Sequence, residues 1–446
     1  MPDTRTPGPR WRCRTLVAAT HLRLAGAWLA CGLLAGGSRA ADGDRAAIRA
    51  ADAGRHVGAL ADDALEGREG GSRGGRAAGA YIADVLRATG LAPAGDQGTY
   101  FQRFGSMRNV LALVPGSDPA VADELVVVGA HYDHVGYGNP SQSNGPIGFI
   151  HNGADDNASG VAGVLEIAEA LAARPTPPRR PVLVAFWDGE EQGLLGSWHF
   201  VRERPAALAT LVPRFSLNLD TIGRLRDRRL EVYGARSAVG LRRALVDANR
   251  SEGLQLDFDW DIVDDSDHFP FLESRVPTLM LHTGLHPEYH RPEDDTHLVN
   301  RAGIESVARL GMATLLALAD APGPLPAFRP ACREEGNALR ESLERPLPAE
   351  PTAPRARWGM STRSDSGDPA APVVARVIPG SPLARAGLEP ADRILAIDGV
   401  ALESHADLLA RLAAAGEVVT LRVERQGRSV DLEVRRAGDA PGPARR

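Results

Sequence analysis

Apolar residues along this chain fall into two alternating patterns. Residues 110–114, 125–129, 182–186, 215–219 and 278–281 are short, nearly unbroken apolar runs of the length of buried strands. Residues 160–173, 236–249 and 304–318 instead repeat apolar positions at helical spacing. An earlier stretch, about 44–90, is helical in pattern as well, with Tyr81, Ile82, Val85 and Leu86 on its apolar side and Gly90 as its stop. Strands that alternate with helices predict an α/β fold, with a mainly parallel central sheet between helices.

The pattern breaks near residue 321. Proline recurs at 322, 324, 326, 330, 346, 348, 351 and 354, around a polar stretch of helical character at 334–343. That composition suits a semi-rigid linker. Ordered patterning resumes at 373–434 with short strands and one helix.

The N-terminus is different again. Arg5, Arg10, Arg12 and Arg14 precede an apolar stretch, 24–37, that is too short to span a bilayer. Ser38-Arg39-Ala40 then places small residues where a signal peptidase would cut. The organisation expected is a signal peptide at 1–40, a main domain at 41–320, a linker at 321–356, a small β-rich domain at 357–437 and a disordered tail at 438–446. Export to the periplasm or the medium follows, with no stable membrane span. Cys31, within Trp28-Leu29-Ala30-Cys31, is a weaker candidate for a lipoprotein anchor.

With 446 residues the chain exceeds what one core usually serves, and its 43% hydrophobic and 24% charged residues are those of a soluble globular protein. The net charge of −6, with no basic block, argues against nucleic acid as the main partner. Losing residues 1–40 removes six Arg and one Asp, so −6 becomes −11. Cys332 would then be the remaining cysteine, and no intramolecular disulfide could form.

Acids and histidines gather just after the predicted strands. His131 and Asp133 follow 125–129, Glu190 and Glu191 follow 182–186, Asp220 follows 215–219, and His290 lies beyond 278–281. Asp156 joins them from the Gly-rich run Gly153-Ala154-Asp155-Asp156-Asn157 at a helix start. Open parallel sheets bind ligands at the carboxyl ends of their strands, so these residues should converge. Two imidazoles and several carboxylates are what paired divalent metals need, and a carboxylate that binds no metal can serve as the proton carrier. Glu190 and Glu191 fit such a division of labour. Taken singly, each residue could equally be a surface or turn residue, and Asp155-Asp156-Asn157 could be ordinary helix capping.

Gly129-Ala130-His131-Tyr132-Asp133-His134, the run from Gly153 through Gly160, and Asp188-Gly189-Glu190-Glu191-Gln192-Gly193 resemble the blocks of the co-catalytic zinc peptidases of clan MH. That family includes bacterial leucyl aminopeptidases and glutamate carboxypeptidases. Asn218-Leu219-Asp220, Ser266-Asp267-His268 and Tyr289-His290-Arg291-Pro292-Glu293-Asp294 follow in the family's order. The resemblance implies a zinc-peptidase fold with two zinc ions. His131 and Asp220 would hold one, Glu191 and His290 the other, and Asp156 would bridge them. It further implies Glu190 as general base and acid and Asp133 as the residue that orients the His131 ring. Arg291 stands where many relatives carry Thr.

His134, His268, Asp267 and Asp155 also match family positions and are expected in supporting roles. His151, His282 and His286 could line the crevice or simply pack. The implied activity is removal of N-terminal residues from peptides with a free N-terminus. Carboxypeptidase, dipeptidase and glutaminyl cyclase activities, and an idle scaffold, are the alternatives.

In the C-terminal region, Val373-Val374-Ala375-Arg376-Val377, Pro379-Gly380-Ser381-Pro382-Leu383-Ala384 and Asp392-Arg393-Ile394-Leu395-Ala396-Ile397-Asp398-Gly399 resemble a bacterial PDZ domain. Residues 404–415 would be its groove helix, and Trp358-Gly359-Met360 its carboxylate-binding loop. Ala391 replaces a usual Gly. The resemblance implies a groove for a peptide or protein C-terminus. Packing on the enzyme without peptide binding is the plainer reading.

Overall fold

The computed structural model describes residues 47–348 and 358–436. The expected signal peptide, residues 349–356 of the expected linker, the first residue of the expected β-rich domain and the expected tail lie outside them. Nine strands build one mixed sheet: β1 (Ala92–Pro93), β2 (Phe101–Phe104), β3 (Met107–Val114), β4 (Glu124–His131), β5 (Val182–Trp187), β6 (Val212–Leu219), β7 (Arg229–Tyr233), β8 (Gln255–Phe258) and β9 (Thr278–His282). Their order is β1-β3-β5-β4-β6-β9-β7-β8, with β2 on β3. The four central strands β5, β4, β6 and β9 are parallel. On the flanks, β3 and β7 turn antiparallel to them. The parallel arrangement expected from alternation therefore holds at the centre only.

The unbroken apolar character of β4 has a simple cause: it is buried on both faces. Val126, Val128 and Ala130 enter a core shared with α1 (Ala50–Leu60), α2 (Arg73–Thr89), α3 (Ala158–Ala173) and α7 (Arg301–Ala319). Leu125 and Val127 face the other way, into a smaller core that holds Phe200 of α4 (Leu195–Arg202) and Phe271 of α6 (His268–Glu273). Alternate residues of one strand thus serve two cores. Gly90 caps α2 in the left-handed region, φ 78°, where a side chain would be strained.

After α5 (Leu241–Ala248) and α7, the Pro-rich stretch carries a short helix, α8 (Asn337–Glu344). The Asn337 side chain is held by Asp259 and Asp261, and Leu347 N–H donates to the Ala375 carbonyl at 2.7 Å. Up to residue 348, then, this stretch is tied to both domains.

The C-terminal domain is an antiparallel sheet of β10 (Met360–Arg363), β11 (Val373–Val377), β12 (Arg393–Ile397), β13 (Val400–Ala401), β14 (Val418–Arg425) and β15 (Arg428–Arg435), with α9 (Pro382–Arg385) and α10 (His405–Ala414). It has its own core around Val374, Ile394, Leu408, Leu421 and Val434, closed by Trp358, whose indole N–H donates to the Leu412 carbonyl. The β14–β15 turn reaches the main domain. Leu256 N–H of β8 donates to the Gln426 carbonyl at 3.0 Å, and Arg242 of α5 grips Glu424 through Nε and Nη2 at 2.6–3.0 Å. At Gly427, φ 73°, a Cβ would stand 2.2 Å from that of Leu256, so this contact requires glycine.

Candidate metal centre

The crevice lies where the chain leaves the central strands on opposite sides of β4. His131 ends β4, Glu190 and Glu191 follow β5, Asp220 follows β6, and His290 stands beyond β9. Asp156 precedes α3, whose N-cap Asn157 accepts the Gly160 N–H at 2.9 Å. These six meet here, and the seventh expected residue, Asp133, stands beside His131.

Asp156 is central. Its Oδ1 lies 3.3 Å from His131 Nε2, and its Oδ2 lies 2.9 Å from His290 Nε2. Asp220 Oδ1 is 3.4 Å from His131 Nε2, and Glu191 Oε2 is 3.3 Å from His290 Nε2. Two ligands about 2.0–2.1 Å from a tetrahedral zinc stand roughly 3.3 Å apart, so these separations fit that ion. The donors form two groups that share Asp156: His131, Asp156 and Asp220, and His134, Asp156, Glu191 and His290. A third cluster, His56 with Glu166 and Glu169, is separate, with longer gaps of 3.9 and 3.7 Å.

The field at the centre is strongly negative. Burial opposes charge on His290, yet hydrogen bonds to Asp156 and Glu191 push it up to about 11. His131 is likewise raised well above its usual value, against burial, by Glu190 and Asp220. Burial would raise the Asp156 carboxyl, but hydrogen bonds to His131 and His290 hold it well below the usual range. Asp156 Oδ2 is buried and faces two imidazoles, His290 Nε2 at 2.9 Å and His134 Nδ1 at 3.7 Å. Imidazoles and carboxylates around such an oxygen fit a pair of divalent cations. Glu190 differs: burial pushes its carboxyl well above its ordinary value, with Glu191 reinforcing this and His131 opposing it. It lies 3.9 Å from His131 Nε2, at the edge of the donor groups.

Asp133 acts on more than the ring it was expected to orient. His131 Nδ1 is nearest the Asp133 main-chain carbonyl, at 3.2 Å, and its carboxylate stands at 3.8 Å. The carboxylate instead accepts the N–H groups of Glu190 and Glu191. His134 comes closer than a merely supporting residue, with Nδ1 2.8 Å from Glu191 Oε1. Asp155 faces His286 Nε2 at 3.2 Å, His282 lines the cavity, and His151 and His268 are buried. Asp267 accepts a short hydrogen bond from Ser197.

Two residues at the centre carry roles the sequence reading missed. Ser266 Oγ donates to Asp220 Oδ2 at 2.5 Å. Arg68, fully buried, spreads its guanidinium over the carbonyls of Leu60, Tyr132, Asn152 and Gly153 and so ties together the loops that carry His131 and Asp156. Gly153, φ 54°, lets that loop pass His134: a Cβ would lie 2.5 Å from its ring.

Residues 109–315 match the model of peptidase family M28, and residues 373–425 match that of a PDZ domain. The larger domain is similar to peptidase family M28. Leupeptin-inactivating enzyme 1 of Streptomyces exfoliatus is 32% identical over 163 residues, 36% of this chain and 33% of that protein. Aminopeptidase YwaD of Bacillus subtilis is 26% identical over 201 residues, 43% of this chain and 40% of that protein. The chain thus spans between about a third and two-fifths of those relatives' length. Among solved structures, the LapA aminopeptidase of Legionella pneumophila superposes with a TM-score of 0.54 at 17% identity, covering 64% of this chain and 75% of that one. A glutaminyl cyclase of Porphyromonas gingivalis reaches 0.50 at 21% identity, covering 60% and 98%. Both likenesses concern the fold. The M28-like domain therefore has the architecture expected for it, and the smaller domain is of PDZ type.

Proposed function

We propose that the M28-like domain is a zinc-dependent aminopeptidase with two metal positions. The observation that carries this reading is Asp156, whose two carboxylate oxygens face two separate imidazole-plus-carboxylate groups. His131 and Asp220 would hold one zinc, Glu191 and His290 the other, with Asp156 between. Zinc bound there would polarise the peptide carbonyl and make water a stronger acid. Glu190, buried and with its carboxyl pushed up by that burial, takes the proton of the attacking water and returns it to the leaving amine. Asp133 fixes the main chain of the loop that carries both glutamates. The acidic cavity suits a free ammonium group at the substrate's N-terminus. A carboxypeptidase would need a cation for the substrate carboxylate, and Arg291 is not among the residues lining this cavity.

The likeness to a glutaminyl cyclase supports a second reading, cyclisation at the same centre. Two complete donor groups and the adjacent Glu190 favour hydrolysis. Residues 1–40 would direct export to the periplasm or the medium. The PDZ domain would offer its groove between β10 and α10 to a peptide or protein terminus.

The test is release of free amino acids from unblocked peptides by the full chain supplied with zinc. Activity confined to N-terminally blocked peptides would overturn the aminopeptidase reading, and pyroglutamate formation from N-terminal glutamine would favour the second one.

A further inference from the structure

Beside the donor groups lies a cavity of about 340 Å³. One wall is built by the antiparallel pair β7 and β9, in which Glu231 stands opposite His282 and Tyr233 opposite Met280. Side chains two apart on a strand share a face, so Glu231, Tyr233, Met280 and His282 all look into the cavity. Leu285 and Asp265 complete this wall.

Apart from the proposed ligands and Glu190, the acids of this lining are Glu231 and Asp265, and no arginine lines it. Glu231 is about one-third exposed, at 34%, and its Oε2 accepts the Tyr233 hydroxyl at 3.1 Å. His282 is the ring placed to offset its charge. Burial favours the neutral ring, but Glu231 and Asp220 raise it above its usual value. His282 Nδ1 nevertheless faces the Gly284 N–H at 2.8 Å, and its 3.6 Å gap to Glu231 Oε2 is too long for a hydrogen bond. The Glu231 carboxylate therefore has no hydrogen-bonded cation at this ring. Arg226 spends its Nη2 on the carbonyls of Thr283, Gly284 and Leu285 and makes no ion pair with Glu231.

Tyr233, Met280 and Leu285 offer apolar surface for the methylene stem of a long side chain, and the two carboxylates offer acceptors for its charged head. We infer that this cavity receives the side chain of the substrate's first residue and selects arginine or lysine there. The inference rests on the aminopeptidase reading and adds the substrate class to it.

The experiment compares kcat/KM for arginyl, lysyl, leucyl and alanyl p-nitroanilides with the zinc-loaded full chain at neutral pH. Arginyl and lysyl substrates should lead leucyl by at least tenfold. Glu231→Gln and Asp265→Asn, made separately, should each cut the arginyl-to-leucyl ratio severalfold, and together at least tenfold, mainly through KM. Because the readout is a ratio within one preparation, partial misfolding of a variant does not mimic the effect. A leucyl substrate equal to or faster than the arginyl one, or an unchanged ratio in the double variant, would overturn the inference while leaving the aminopeptidase reading intact. Failure to cleave any of the four substrates would overturn both.

Discussion

Asp133 Oδ1 accepts the backbone N–H of Glu190 at 3.0 Å. Its Oδ2 takes the Glu191 N–H at 3.3 Å, so one buried carboxylate sets the main chain of both the proposed base and a proposed ligand. An asparagine can accept only one of these bonds, and its amide would point a donor at the other N–H. Asp133→Asn should therefore lower zinc affinity and kcat by roughly 10–100-fold each, the range seen when ligand-supporting groups are removed. Zinc competition titrations and initial rates measure the two effects. Rates within twofold of the parent would show that the loop holds its shape without Asp133.

Glu190 and Glu191 are neighbours with opposite environments. Burial pushes Glu190 well above its ordinary value, while Glu191, although burial and Asp156 would raise it, is held below its own by hydrogen bonds to His134 and His290. Glu190→Gln should lower kcat by about 10²–10⁴-fold, the usual contribution of a positioned acid–base group, with metal content unchanged. Glu191→Gln should instead lower metal content first. Elemental analysis of both variants beside their rates separates the roles, and unchanged activity in Glu190→Gln would remove it from the mechanism.

The proposed strand-end ligands were legible because each follows an apolar run long enough to be a buried strand, and the sheet then has no choice about where the loops converge. The β7 half of the cavity wall, and β8 beside it, were not. Arg229-Leu230-Glu231-Val232-Tyr233 and Gln255-Leu256-Asp257-Phe258 alternate charged and apolar residues near the sheet edge, and little in such short segments separates strand from loop. Arg68 was illegible for another reason: its role exists only where four carbonyls from three distant segments meet. The grip of Arg242 on Glu424 joins residues 182 positions apart, which no local pattern reports. Ala391 was readable as a departure from the PDZ pattern, and it stands in the left-handed region that its usual glycine would occupy freely, at φ 71°.

Removing metal should expose how much of the fold depends on it. Asp156, Glu190, Glu191 and Asp220 are packed together with imidazoles and the buried Arg68 guanidinium as counter-charge. A ligand present at about a thousand times its Kd stabilises the folded state by about 4 kcal/mol. At roughly 2–4 °C per kcal/mol for a domain of this size, chelation should lower Tm on the order of ten degrees. Added zinc should restore both Tm and activity, whereas calcium, which prefers oxygen donors, should not. A Tm indifferent to chelator would argue that the centre folds without metal.

Glu166, buried on α3, gives a pH dependence distinct from that of the centre. Its Oε2 accepts the Arg49 N–H at 2.8 Å, but burial raises its carboxyl to about 7. A carboxyl raised on folding binds its proton more tightly in the folded chain. Its stabilising effect is therefore complete below about pH 4.5 and is lost as pH rises through about 7. Glu166→Gln keeps an oxygen for Arg49 and removes the ionisation. It should stabilise the zinc-loaded protein at pH 8 by roughly 1–3 kcal/mol relative to the parent, and by much less at pH 5, because one unit of pKa is about 1.4 kcal/mol. Thermal unfolding of both proteins across that range is the measurement. Parallel curves would mean that Glu166 already carries its charge in the folded protein at little cost, with His56 and the helix start compensating for burial.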